Sequence, residues 1–511
     1  MNKFKVLLLC ALMAMGGGFS VNATTYAPIV KYANEPGAVL SSNFVVKVND
    51  TTEIPVDQVD VLGYARFTIS SVPGTLKIEV TAPTSTTGTF TLYPKKLGVI
   101  PTIDKAAKKM SFVLGAGLTA VPRQFIINVD GKCLALFVDL PETDPPMPTD
   151  ADVKNILDFK VNNTGDTLQT SAVQRAIDWV TTNTTGKTIL FVPNGVYQCG
   201  SLKISGSLQI YLQDGARIQG SEAIRDYSKA FIDVVGNGSS CFKLFGRGVI
   251  DGSGRQLWSK DSKDSKKLVR LLHIDNCSRV ILQDIILRNG HIWTCHMENS
   301  SNVDISNVKV VSPGHHLWND SYDVTSCQHY TNANCFCWAV DDSAAIMSRE
   351  KPTGDVTFSN LLAYSDCSGV RFGWNSLSRI DGVNFVDCEW YTANINAMAF
   401  HQLKKENAFG RIVFTNCRFD ARSLKVFANT FGWDFGPGAI SVDSLEFHDC
   451  IMEKQAPSNF IGDSTRKIRN IVYDHVTIGK TPIMSLGDLK NFSCTNVAKV
   501  TFDQPSSSKQ N

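Results

Sequence analysis

The strongest constraint on this chain is a repeat. Ser278-Arg279-Val280-Ile281-Leu282-Gln283-Asp284-Ile285 and Ser301-Asn302-Val303-Asp304-Ile305-Ser306-Asn307-Val308 are copies of one pattern, with Val280 and Val303 23 residues apart. Similar units recur around Val356, Ile380, Ile412, Leu445, Ile468 and Phe492, at successive gaps of 53, 24, 32, 33, 23 and 24 residues. A period near 23 with alternating β-branched residues predicts a β-solenoid. Each turn contributes short parallel strands and buries its apolar face only by stacking on its neighbours, about 4.8 Å away. A leucine-rich horseshoe has a similar period, but its Leu ladder is missing. Five Asn/Asp-Cys pairs (276–277, 366–367, 387–388, 416–417 and 449–450) follow the repeat. Cysteine behaves as a small buried hydrophobe, so a stack of equivalent inward positions explains these pairs better than a disulfide framework. Cys335-Phe336-Cys337 lacks the spacing and the second cluster of a zinc site, so no metal is expected.

A solenoid has an open apolar end. Val173, Ala176, Ile177 and Val180 fall at i, i+3, i+4 and i+7, which predicts a helix placed to cover the first coil, with Asp166, Thr167, Thr170 and Ser171 available as caps. Upstream, runs such as Asn43–Val48 and Leu76–Val80, broken by Gly, Pro, Ser and Thr, predict a small antiparallel β-sandwich over 24–145. The prolines at 145, 146 and 148 continue neither sheet nor helix and mark the boundary; the solenoid then occupies 150–511. Lys3 and Lys5, the apolar run Val6–Met15 and Val21-Asn22-Ala23 have the layout of a secretory signal over 1–23, so a secreted or periplasmic protein is expected. No other stretch is long and apolar enough to span a membrane. The 50 Lys+Arg against 48 Asp+Glu become 48 against 48 once Lys3 and Lys5 are removed. That balance gives no basic excess for nucleic acid or anionic lipid.

Asp166-Thr167 through Phe191-Val192-Pro193-Asn194-Gly195-Val196-Tyr197 and Gly200-Ser201-Leu202 resembles the opening coils of polygalacturonase-like enzymes, glycoside hydrolase family 28. Gly248-Val249-Ile250-Asp251-Gly252-Ser253-Gly254 with Trp258, and the repeats over 276–313, resemble the same family; the resemblance covers about 155–350. The N-terminal sandwich and Gly373-Trp374 look more like the related dextranase family 49. The resemblance implies an all-β chain, a right-handed parallel β-helix preceded by a small β-sandwich domain. It also implies a secreted, monomeric, cofactor-free glycoside hydrolase acting on a polysaccharide.

Asn319-Asp320-Ser321-Tyr322-Asp323-Val324 resembles the family's Asn-x-Asp motif, and Val340-Asp341-Asp342-Ser343 its Asp-Asp motif. Asp320 precedes Asp341 by 21 residues and Asp342 by 22, about one coil, so three carboxylates are expected to crowd one strip of the solenoid. Inverting hydrolysis needs one carboxyl to protonate the leaving oxygen and another to activate water. Crowded like charges keep one member protonated. By resemblance Asp341 is the general acid, while Asp320 and Asp342 hold and activate water, in roles that could be exchanged. Asp323 is the alternative to Asp320.

The pattern departs from the family at two places. Where Gly-His-Gly stands in polygalacturonases, this chain reads Ser368-Gly369-Val370-Arg371-Phe372-Gly373-Trp374. Where Arg-x-Lys binds the substrate carboxylate, it reads Ala397-Met398-Ala399-Phe400-His401-Gln402. Asn319, Arg371, Trp374 and His401 remain as candidate substrate-binding residues, with Trp293, Trp318 and Trp338 as stacking platforms. The missing cation pair moves the expected substrate toward a neutral glycan and leaves galacturonate-containing pectin open. The alternative to an enzyme is a non-catalytic β-helix that binds glycans or acts as an adhesin. A lyase is disfavoured by the Asp trio.

Overall fold

The computed structural model describes residues 26–503, apart from 34–36, 71–73, 262–266, 315–317, 374–375, 394–395, 402–408, 421–425, 429–439, 455–457 and 490–491. Signal residues 1–23 and Trp374 lie outside the described residues.

From Val153 onward the chain winds through three long sheets of 13, 12 and 11 strands among the described residues. Each coil gives one strand to each sheet. Nearly every pairing is parallel and joins strands one coil apart; Thr477–Ile478 against Thr481–Pro482 is the antiparallel exception. This is the parallel β-helix expected from the repeat, with the right-handed crossovers that parallel strands impose. The register refines the sequence reading. Val280, Val303, Tyr330, Val356, Val383, Ile412, Leu445, Ile471 and Val500 occupy one column. The gap of 53 therefore hides a full coil at Tyr330. Ile380 and Ile468 were each three residues early, and Phe492 belongs to the 11-stranded sheet. Tyr330 was missed because an aromatic stands where its neighbours carry aliphatics.

Two features make the register persist. The first is a column of stacked rings on the inner face of the 13-stranded sheet. Phe358, Phe385, Phe414, Phe447, Tyr473 and Phe502 have centroids 4.9 to 5.5 Å apart, close to the strand spacing itself. The second lies at the corners. Asn276, Asp387, Asn416 and Asp449 adopt left-handed backbone (φ 50° to 57°), a conformation that Asn and Asp tolerate better than other side chains. The Cys that follows each of them turns inward and is buried. Asn/Asp-Cys is thus a corner-then-core unit, and the thirteen described cysteines are all free thiols.

The helix Thr170–Thr182 closes the first coil as predicted, burying Val173, Ala176, Ile177 and Val180 against Leu190, Ile204, Leu208 and Ile210. Its cap differs from the expectation. Gln169 is the N-cap and makes no side-chain capping bond, while the Thr170 hydroxyl accepts the Gly200 N–H at 2.7 Å.

The N-terminal strands form a six-stranded and a five-stranded sheet around a shared core that includes Val46, Phe67, Ile78, Phe112 and Phe125. They are not wholly antiparallel: Lys132–Asp139 runs parallel to Leu62–Ile69. The far face of the six-stranded sheet does not meet water. Leu62, Tyr64, Ile126, Ala135 and Phe137 pack on Val249, Ile286, Val311, Phe336 and Trp338 of the 12-stranded sheet. Around this contact Asp139 accepts from Lys309 (2.5 Å) and Asn307 (2.7 Å), and the Tyr64 hydroxyl lies 2.6 Å from Arg288. The chain between these parts, 140–152, carries the prolines and no strand.

The ring column sets a stability expectation. Phe414→Ala leaves a hole between two stacked neighbours and costs about 3–5 kcal/mol. Denaturant unfolding at constant m-value measures it, and a loss below about 1 kcal/mol would show that the column does not carry the stack.

Candidate active site

The residues of interest lie where coils turn from the 12-stranded into the 11-stranded sheet. One coil leaves Lys309–Val311 and enters Tyr322–Thr325; the next leaves Phe336–Ala339 and enters Ala344–Met347. Tyr322 pairs with Ala344, and Ser321 N–H donates to the Asp342 carbonyl at 3.0 Å, so the register carries back through both bends and sets Asp320 beside Asp342. The Asp320 carboxylate accepts the Asp342 N–H at 2.9 Å. Asp341, half-buried, accepts the Trp318 N–H at 2.8 Å and is the member of the group most open to solvent. The sequence reading of three carboxylates one coil apart thus corresponds to a single cluster.

Asp323 enlarges the cluster. It stands on the outward face of Tyr322–Thr325 while Tyr322 and Val324 enter the core, and its side chain is nevertheless fully buried. No N–H or O–H donor among the described residues reaches either carboxylate oxygen; its neighbour is the carboxyl of Asp320. Two carboxyls placed so satisfy each other when they share a proton. Their titration agrees. Burial first, then the charges of Asp341, Asp323 and Asp342, holds Asp320 far above the ordinary carboxylate range. Burial and Asp342 do the same to Asp323. The group titrates as a unit, and its proton count matters more than any single assignment. Asp323 is therefore an additional member rather than a replacement for Asp320.

Among the described residues one cation lies within ion-pair distance. The Arg371 guanidinium forks onto both oxygens of Asp342, through Nε and, at 3.1 Å, Nη2. Burial pushes the Asp342 carboxyl up and Arg371 pulls it back, leaving it at about 6. Arg371, expected from the sequence to receive substrate, is thus paired with Asp342. Asn319 is also turned inward: its amide donates to the Gly290 carbonyl (3.2 Å) and accepts from the Thr294 hydroxyl (2.8 Å), fixing the neighbouring bend. His401 is buried one coil beyond Arg371, and burial plus that guanidinium depresses its pKa, so it faces the site as a neutral imidazole. Gly373 makes this approach possible, since a Cβ there would stand 2.2 Å from the His401 carbonyl oxygen.

Of the tryptophans, Trp318 is 43% exposed at the rim and remains a stacking candidate. Trp338 is buried, stacked 3.8 Å from Tyr364 under the N-terminal sheets, and belongs to packing. Trp293 is half-buried, and sequence reasoning missed what covers it: the Arg270 guanidinium, 4.9 Å from the ring centroid. Arg270 opens a strand with no motif around it, so only the coil register could have revealed it. Among the described residues two groups bring metal-ligating atoms within 4.8 Å: His273 with His296 and Glu298, and Asp341 with Asp342 and Cys367. In the first, His273 is already held between Asp233 (2.8 Å) and Glu298 (3.1 Å). In the second, Arg371 already supplies positive charge.

With this geometry in hand, the likenesses to known proteins fall into place. Residues 182–388 match the family model described as Glycosyl hydrolases family 28, a span that holds Asp320, Asp323, Asp341, Asp342 and Arg371. The chain is 30% identical over 159 residues to an exo-poly-α-D-galacturonosidase of Dickeya chrysanthemi, across 27% of this chain; it spans about a quarter (25%) of that relative's length. Two solved structures share the fold: an exopolygalacturonase from Thermotoga maritima (TM-score 0.53, 16% identity, 71% of this chain and 93% of that one) and a polygalacturonase from Erwinia carotovora (TM-score 0.54, 15% identity, 70% and 99%). The family-28 resemblance read from the motifs is thereby supported.

Burying Asp323 next to other carboxylates has a price in stability. Its folded pKa is raised above the unfolded value near 4, so the native state holds its proton more tightly than the unfolded chain, and stability falls as pH rises above that value. Asp323→Asn is expected to raise stability by roughly 1–3 kcal/mol at neutral pH. The gain should vanish near pH 4. Thermal midpoints at both pH values check this, and a pH-independent change would contradict the shared-proton arrangement.

Proposed function

We propose that this chain is an exported, inverting glycoside hydrolase that cleaves O-glycosyl bonds of a pectin-type polysaccharide. The observation that carries this reading is the cluster of four carboxyls, three of them buried, to which Arg371 is the one guanidinium ion-paired among the described residues. Such a group retains protons at neutral pH and holds charged and protonated carboxyls side by side, as acid–base hydrolysis requires. The family match over these residues supports it. Asp341 is open to solvent and protonates the leaving oxygen. Asp342, whose anion Arg371 favours, acts as base toward the attacking water, and Asp320 positions that water.

Release of reducing ends from polygalacturonate, with dextran as the neutral control, tests the activity, and the anomer first released, observed by NMR, tests inversion. No turnover across both and a wider glycan panel would favour the binding-module alternative, while unsaturated ultraviolet-absorbing products would indicate a lyase. Asp341→Asn and Asp342→Asn are each expected to lower kcat by about 10²–10⁴-fold. Because the base must be ionised, kcat/KM should fall below about pH 6, the pKa of Asp342. Arg371→Met removes the charge that pulls this pKa down, so the acid limb should move to higher pH; an unmoved limb would rule out Asp342 as the base. N-terminal sequencing of exported protein should begin at Thr24.

A further inference from the structure

Among the described residues, three deeply buried guanidiniums each have a carboxylate close by: Arg288 has Asp251 at 2.6 Å, Arg247 has Asp284 at 3.3 Å, and Arg371 has Asp342. Arg270 differs. It begins the strand Arg270–Asp275, two coils before the strand that carries Asp323, on the same 11-stranded sheet. It is half-buried, and among the described residues its guanidinium makes no hydrogen bond and no ion pair. Its Nε is shut away from solvent without an acceptor. Glu298, Asp323 and Asp233 act on it only through space. Glu298 is already held by His273 at 3.1 Å and by Arg349 at 3.5 Å, and Asp233 by His273.

An arginine stays charged whatever its surroundings, so withdrawing one from water without a counter-ion is costly. The cost is met when an anion arrives. The ring of Trp293 lies against the guanidinium and orients it, leaving its N–H groups to be shared by two oxygens of one planar anion. At about 4.8 Å per coil, Arg270 stands two coils, roughly 10 Å, along the stack from Asp320 and three coils, roughly 14 Å, from Asp341 and Asp342, within the reach of the same oligosaccharide. The planar anion that a sugar chain carries is a uronate carboxylate.

We propose that Arg270, backed by Trp293, binds the carboxylate of a uronate unit lying across the coils N-terminal to the catalytic group. The inference rests on the hydrolase reading for its substrate, and it places the anion-recognising cation on the opposite side of the catalytic carboxyls from Ala397–Gln402. It also reverses the expectation of a neutral glycan, which rested on the missing Arg/Lys pair, the balanced charge and the family-49 likeness.

The test uses the full chain carrying Asp341→Asn, so that binding is measured without turnover. Calorimetric titration with galacturonate oligomers and with the same oligomers carboxyl-reduced to galactose is compared with and without Arg270→Gln. The expected result is a loss of about tenfold to a hundredfold in affinity for the uronate oligomer. Binding of the reduced oligomer should be unchanged, and Arg270→Lys should recover part of the loss. An unpaired charge being removed, the thermal midpoint of Arg270→Gln should not fall; a lower midpoint with equal loss for both oligomers would mean a structural role and overturn the proposal. Equal affinity for the uronate oligomer in both proteins, or no measurable uronate binding, would overturn it as well. Arg270-dependent uronate binding by a wild-type chain that hydrolyses nothing would instead leave this site standing and refute the hydrolase reading.

Discussion

The in-register hydrogen bonding of each coil to the next is the constraint on which everything else depends. Parallel pairing holds equivalent residues of successive coils within one strand spacing of each other. Inside the solenoid that proximity is favourable, and it produces the ring column from Phe358 to Phe502 and the buried thiols at the corners. On the outside it is indifferent to what it brings together. The same register that stacks phenylalanines sets Asp320 beside Asp342, in an arrangement that no local preference would choose.

The site is therefore a place where the fold imposes repulsion and then limits it. Arg371 neutralises one carboxylate, the Asp320–Asp323 pair retains a proton, and Asp341 is left open to solvent. Sites of this kind sacrifice stability for reactivity. Here the sacrifice is tolerated because the coils above and below are locked by pairing that does not involve the acids.

Much of this was readable in the chain, for reasons that differ from part to part. The solenoid was visible because its period is written in inward-facing residues, and the capping helix because its four apolar positions have helical spacing. The coil at Tyr330 escaped because the pattern tolerates an aromatic in that column. The Asp320, Asp341 and Asp342 cluster was visible because separation by one coil length is separation by one strand spacing. Asp323, three residues after Asp320, was seen only as a substitute, because the family-49 spacing between the first Asp and the pair is shorter; burial of both makes them partners. Arg371 was assigned to substrate because sequence shows that a cation is near but not which anion takes it. Arg270 carried no signal at all: it lies about 50 residues before the acids, and only the stack brings it near them.

The docking of the N-terminal sheets on the 12-stranded sheet has a mechanical meaning. Among the described residues their contacts begin at Asp214, which accepts the Ala33 N–H, continue through Arg247, whose carbonyl accepts from Arg66, then Arg288, Asn307, Asn334, Asn360, Glu389 and Asp420, and end at Glu453, 3.5 Å from Lys95. A stack of coils is stiff across its strands and weakest against peeling, one coil from the next. A rider fastened at nine successive levels works as a splint along that weak axis. The coils it spans are the ones that hold the acids, so the part of the solenoid most burdened by like charge is also the part least free to fan open.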